Sequence, residues 1–290
     1  MGHERPITIG RIDYANVWPI FDHFEACLTR SEAQRVNMLT GVPSELNRAL
    51  KTGEADLSAI SSFAYGQMSE QLVLLPELSV SADGDVMSIF LFLKKPLEQV
   101  LQGTIAVTNT SATSVNLLRI IMSGRFQASP RYVTTEPNLD EMLREADAAL
   151  LIGDPAIRAS WRSDHGCEML DVGRLWKDWT GLGMTFAVLA VRESAVKEAP
   201  ETVRMVLRAL NESKRISLAG IDRLAAKAAA AIGGEVDYWS RYFRCLKYGF
   251  GEREREGLAL YFRYAHRLGL LQHEVKLRFW SDHTVAQVNE

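Results

Sequence analysis

The chain has 290 residues, of which 47% are hydrophobic and 24% charged, with a formal net charge of −3. That composition describes a globular protein with a substantial core, large enough for one big domain or two ordinary ones. The slight acidity removes any electrostatic reason to expect nucleic acid, and no segment approaches the run of about 18 apolar residues that crosses a membrane. The first residues, MGHERPITIG, lack the apolar stretch of a secretion signal, so a cytoplasmic location is expected. Cys27, Cys167 and Cys245 have no CxxC or Cys/His ligand spacing. They read as reduced, mostly buried thiols, with neither a disulfide framework nor a metal site. No GxGxxG or GxxxxGK[ST] fingerprint supports a nucleotide cofactor.

In chain order, Ile7 to Ile20 (ITIGRIDYANVWPI) reads as a short strand, a polar turn and an apolar helix start. Asn16 lies in that turn. Its amide can donate to and accept from a ligand, or it caps the helix beginning near Val17-Trp18-Pro19. Arg11 is a candidate counter-charge for an anion, or a surface ion-pair partner. Glu45 to Leu50 is the next helix, stopped by Gly53. Leu57 and Ile60 then read as strand, with Ser61 and Ser62 opening another helix and one of the two serving as its cap.

Ser88 to Leu93 (SIFLFL) and Phe186 to Val191 (FAVLAV) are extended apolar segments. They are expected to link two lobes as a two-strand hinge. Ser88 there reaches a ligand or faces a neighbouring strand. Between them, Thr104 to Leu118 (TIAVTNTSATSVNLL) passes from a buried strand through hydroxyl residues into an amphipathic helix. A strand-to-helix turn of this kind aims unpaired N–H groups and the positive helix end at one spot. Hydroxyls from Thr108, Ser111, Thr113 and Ser114 would turn that spot into a cradle for a carboxylate or phosphate. The alternative is a simple Ser/Thr cap.

Leu139 to Glu145 is helical, and Arg144 to Ile157 forms another strand-and-turn unit with Gly153 and Asp154 at its turn. Asp154 accepts from a ligand hydroxyl or caps the helix after Pro155. Glu54-Ala55-Asp56 and Glu145-Ala146-Asp147 occupy matching places in the two halves. The repeat implies two similar α/β lobes with a ligand cleft between the carboxyl ends of their strands. Residues 1–92 with 187–290 are expected to form the first lobe and 93–186 the second.

From Pro200 onward the pattern is helical: Val203 to Leu210, Ile221 to Ile232, Tyr238 to Leu246 and Gly257 to Leu268, packed on the first lobe. The charged GEREREG (Gly251 to Gly257) reads as a solvated turn and helix start. His3, His23, His165, His266, His273 and His283 all lie outside the polar turns and read as structural or solvated. Trp176, Trp179 and Thr180 cover the cleft or pack in the core.

Several segments, in order, resemble the chorismate dehydratases (MqnA) of the futalosine route to menaquinone. They are IGRIDYANVWPIF (Ile9 to Phe21), GVPSELNRAL (Gly41 to Leu50), GEADLSAISSFAY (Gly53 to Tyr65), LLPELSVSADGDVMSI (Leu74 to Ile89), TNTSATSVNLL (Thr108 to Leu118), ALLIGDPAI (Ala149 to Ile157) and DVGRLWKDWTGLGMTFAV (Asp171 to Val188). The resemblance implies a two-lobed, type II periplasmic-binding-protein-like α/β fold. It also implies a lyase that converts chorismate to 3-[(1-carboxyvinyl)oxy]benzoate without metal or organic cofactor. The enolpyruvyl carboxylate of the substrate would itself take the C3 proton.

Carried onto this chain, the resemblance implies a catalytic role for Asn16. The implied substrate-binding set is Arg11, Ser61, Ser62, Ser88, Thr108, Ser111, Ala112, Thr113, Ser114, Gly153 and Asp154. Two departures stand out: TGLGM (Thr180 to Met184), where TGLPF or similar is expected in many relatives, and Ala15, where Leu or Thr is usual. The sister enzyme MqnD, acting on a cyclised futalosine derivative, is less similar because its proline- and cysteine-bearing N-terminal motif is absent. A non-enzymatic binding protein for a small carboxylate is the competing class. The sequence says nothing of oligomeric state.

Overall fold

A computed structural model describes residues 4–281 and 286–287, so the readings of His3 and His283 concern positions outside the described residues. The strands in chain order are β1 (Ile7–Ile12), β2 (Val36–Gly41), β3 (Leu57–Ser61), β4 (Leu72–Ala82), β5 (Ile89–Leu93), β6 (Thr104–Thr108) and β7 (Arg131–Thr135). They continue with β8 (Ala148–Ile152), β9 (Glu168–Asp171), β10 (Met184–Arg192), β11 (Leu246–Lys247), β12 (Arg278–Phe279) and β13 (Ala286–Gln287). One sheet runs β13-β12-β4-β10-β3-β1-β2, with β11 attached to β4. The other runs β7-β6-β8-β5-β9. In each sheet a parallel set (β2-β1-β3; β7-β6-β8) is flanked by antiparallel strands. This is the two-lobed α/β arrangement expected from the repeat.

The two presumed linkers are strands inside the sheets. Ile89–Leu93 sits between β8 and β9, and 186–191 lies within β10, between β3 and β4. Their unbroken apolar character reflects burial on both faces, as in any inner strand covered by helices. Val188, Leu189, Ala190 and Val191 are fully buried. By sheet membership the chain crosses between the sheets at 83–88 and 181–183, a few residues before each expected boundary.

Both crossings are tightly held. The Asp171 carboxylate caps the helix Val172–Thr180 through Arg174 N–H and also accepts the N–H groups of Val86 and Met87. It thereby fixes Met87 in its left-handed backbone conformation (φ 57°). At the second crossing, Gly181 ends that helix at φ 74°, the usual left-handed stop, and turns the chain into β10. Trp176 is fully buried and donates its indole N–H to Gly183 O at 3.1 Å, while Trp179 lies 4.9 Å from the Tyr264 ring. Thr180 Oγ1 donates to Trp176 O. All three residues pack at the crossing.

The C-terminal helices are Pro200–Ala219, Ile221–Ile232, Val236–Cys245 and Glu252–Arg267. These helices pack on the first lobe, as Pro200–Ala219 does on the helix at Trp18–Phe21, and they also reach beyond it. Tyr238 donates to Met87 O at 2.7 Å and its ring packs edge-on against Trp161, while Tyr261 donates to Thr113 O in the second lobe. Their aromatic stripe is long enough to serve both lobes, and the main apolar core draws on both, with a second, smaller cluster around Phe92, Leu139 and Leu151 in the second lobe. No helix among the described residues is long and apolar enough to cross a membrane.

Gly257 gives a sharp test of this packing. A methyl group there would lie 2.2 Å from Gly183 O, a backbone atom that cannot swing aside. Gly257→Ala should lower unfolding free energy by about 1–3 kcal/mol, as overpacking does. Gly249→Ala, where a methyl meets open space, should change it by no more than about 0.5 kcal/mol in the same urea titration.

Candidate active site

The turns that carry the sequence motifs converge on a cavity of about 70 Å³ between the lobes. From the first lobe, Ile12 ends β1, and Tyr14 and Asn16 follow in a short turn. Ser61 ends β3, and Val80, Phe186 and Ala187 make an apolar floor. From the second lobe come Ser88 and Ile89, the turn residues Thr110, Ser111 and Ser114, and Ile152 with Gly153. Tyr14 is the one titratable residue among those that line it.

Asn16 makes no capping bond to the helix that follows it, and its Oδ1 is buried without a partner. An orphaned amide oxygen costs roughly 1–3 kcal/mol, which favours the ligand-binding alternative over the cap. Ser61 and Ser111 are both N-caps, accepting from Ala64 N–H and Ser114 N–H, and both line the cavity. Ser111 also donates to Ser114 Oγ at 3.1 Å. Capping and lining are here the same geometry, because a cap at the carboxyl end of a strand necessarily faces the cleft. The helix Ala112–Gly124 directs its positive end toward this spot.

Ser88 Oγ donates to Val86 O and lies near the Tyr242 phenol, a buried neighbour from the C-terminal helices that sequence reasoning missed. Gly153 adopts φ 63°, and a Cβ there would sit 3.5 Å from the Tyr14 ring. Its N–H donates to Ser88 O at 2.7 Å.

Six expected residues stand off the cavity wall. Ser62 is fully buried and donates to Thr185 O, serving the β10 backbone. Thr113 accepts the Phe63 N–H at 2.8 Å, a bond from lobe to lobe. Thr108 stands behind Thr110, 2.8 Å from its hydroxyl. Ala112 is exposed, and Arg11, one position before Ile12 on β1, points to the opposite face by strand alternation. Asp154 also lies off the wall, near enough to the Ala15 N–H of the first lobe for that group to lower its carboxyl.

Tyr14 and Thr110 are wall residues absent from the expected binding set; they line the same cavity from the two lobes, and Thr110 tempers the rise that burial imposes on the Tyr14 phenol. Tyr14 lies within the IDYAN motif, two residues from Asn16, and that proximity was the available signal. One lobe-to-lobe hydrogen bond, Phe63 N–H to Thr113 Oγ1, joins the two sides of this cleft.

His23, His165, His266 and His273 are all remote from the cavity wall. The three cysteines are free but only partly buried, contrary to expectation, and burial pushes each thiol up. Among the described residues, no group of three or more His, Cys, Asp or Glu could hold a metal. A larger groove of about 920 Å³ lies beside Glu252–Arg267, lined by charges of both signs including Glu252, Arg255, Arg263 and Lys276. Of the motif turns it touches only Leu182 of TGLGM, so volume alone does not mark the site.

Burial pushes the Asp154 carboxyl above its usual range and nearby Asp13 adds to this, while the Ala15 N–H and Arg158 pull it back. A carboxyl raised in the folded protein takes up a proton between its ordinary and raised pKa, so its contribution favours folding below that window and is lost as pH rises through it. Urea titrations across that window should show this contribution falling as pH rises. Asp154→Asn should remove that dependence.

A family model described as menaquinone biosynthesis matches residues 7–267. The chorismate dehydratase of Thermus thermophilus is 36% identical over 280 residues, covering 92% of this chain and 96% of that protein. A solved protein of Archaeoglobus fulgidus superposes with a TM-score of 0.75 at 20% identity, covering 93% of this chain and all of the other. The periplasmic aliphatic sulphonate binding protein of Escherichia coli gives 0.70 at 13% identity, covering 99% and 95%. These last two likenesses establish a periplasmic-binding-protein-like fold. With motif order, fold and cleft in agreement, the chain belongs to the menaquinone biosynthesis family.

Proposed function

We propose that this protein dehydrates chorismate to 3-[(1-carboxyvinyl)oxy]benzoate in the cytoplasm, as the first step of futalosine-dependent menaquinone synthesis. The observation that carries the reading is the near full-length relation to a chorismate dehydratase. The chemistry of the cleft supports it. Chorismate presents two carboxylates and a C4 hydroxyl, and the cavity wall presents neutral donors: Asn16, Ser61, Ser88, Thr110, Ser111 and Ser114. Held in a desolvated cleft, such donors orient an anion without the tight charge pairing that would oppose product release.

No wall residue is a carboxylate, imidazole or amine. A base for the C3 proton is therefore best supplied by the substrate, through its enolpyruvyl carboxylate. Aromatisation of the ring supplies the driving force. Asn16 is the residue best placed to hold the enolpyruvyl carboxylate through its N–H while its unpartnered Oδ1 accepts from a substrate hydroxyl.

Incubation with chorismate, followed by liquid chromatography with mass detection, should show protein-dependent loss of one water with the enolpyruvyl group retained. Unchanged chorismate would instead favour the binding-protein class. Asn16→Asp places a negative charge beside a dianion and should lower kcat by about 10²-fold or more, comparable to the loss of a preorganised donor. Turnover near the wild-type level would remove Asn16 from the mechanism.

A further inference from the structure

Loss of the C4 hydroxyl as hydroxide is the demanding half of this elimination. Hydroxide is strongly basic and needs a proton as the C–O bond breaks. The wall offers serine and threonine hydroxyls, which are very weak acids, and one phenol, whose ordinary pKa is near 10. Tyr14 is therefore the strongest acid in the cavity wall by several orders of magnitude. Its ring is seated against Gly153, and it shares the cavity wall with Thr110, whose own hydroxyl lies 2.8 Å from that of buried Thr108. Thr108 Oγ1 also accepts the Thr110 N–H, which fixes the loop at that spacing. The Tyr14 side of the cavity, from the first lobe, thus faces a pair of hydrogen-bonded hydroxyls in the second.

We infer that Tyr14 is the catalytic proton donor to the departing C4 hydroxyl, and that Thr110 and Thr108 complete a hydroxyl relay. This rests on the dehydration reading above. The C3–H bond breaks, its proton passes to the enolpyruvyl carboxylate, and its electron pair becomes the new ring π bond. The C4–O bond breaks, and the leaving oxygen takes the Tyr14 proton and departs as water. The Tyr14 phenolate accepts a hydrogen bond from Thr110 and then recovers a proton from the enolpyruvyl carboxylic acid. Enzyme and proton count are restored, and the net change is loss of one water. Burial and the charge of Asp154 both raise the phenol above its ordinary pKa, with Thr110 opposing them. The donor therefore stays protonated at neutral pH.

The test compares wild type, Tyr14→Phe, Thr110→Val and protein carrying 3-fluorotyrosine at position 14, with chorismate as substrate. Tyr14→Phe should lower kcat by about 10²-fold or more with KM changed only a few-fold, the split expected when an acid acts in the transition state. Thr110→Val should lower kcat by roughly 10-fold. The fluorinated phenol, being more acidic, should sustain turnover and move the alkaline fall of kcat to lower pH, a shift that a purely structural role would not produce. The inference is overturned if Tyr14→Phe keeps kcat within about twofold of wild type, or if fluorination leaves the alkaline limb in place. A wild-type protein that leaves chorismate unchanged overturns the dehydration reading itself and this inference with it.

Discussion

The hydrogen bond from Phe63 N–H to Thr113 Oγ1, at 2.8 Å, joins the amino end of one lobe's helix to the first turn of the other's. It is the contact on which the closed cavity depends. Both partners are buried, so opening the lobes would strand a backbone donor that water must then satisfy. The same bond brings two positive helix ends together, an arrangement that is unfavourable without negative charge nearby. Closure and anion binding are therefore coupled by elementary electrostatics: the ligand that suits the cleft is one that neutralises what closure brings face to face.

The absence of fixed charge from the cavity wall follows the same logic. A lysine or arginine there would bind a dianion tightly before and after reaction, which gains nothing for the chemical step. Hydroxyls and amides hold geometry instead. The apolar floor of Val80, Phe186 and Ala187 keeps the local dielectric low, so each neutral donor counts for more than it would in water. The charged residues at these turns stay off the wall: Asp13 is exposed in the first turn, Asp154 is not among the lining residues, and Arg11 stands on the far face of β1.

The TGLGM departure is intelligible in the same frame. Gly183 lies where a Cβ would come within 2.8 Å of Ala82 O, and its own carbonyl receives Trp176 and abuts Gly257. Two glycines meeting backbone to backbone let the C-terminal helix approach the crossing closely. That helix in turn presents Tyr261 and Tyr264 to the second lobe. The substitution belongs to the packing of the crossing and leaves the wall of the cavity untouched.

Period and punctuation in the sequence determined the α/β class, the repeat, and the polar turns as the place of the site, because strand ends and helix caps are local events. Asn16, Ser61, Ser88, Ser111, Ser114 and Gly153 were legible for that reason. The inner strands β5 and β10 were not, since a continuous apolar run looks the same whether it links two bodies or lies inside one. Only tertiary structure decided which hydroxyl of each turn faces the cleft and which, like Ser62 and Thr113, is spent on the partner backbone. It alone brought Tyr14 against Thr110 and Tyr242 behind Ser88, because residues 96 and 154 positions apart meet through lobe closure and helix packing, and no local pattern encodes either.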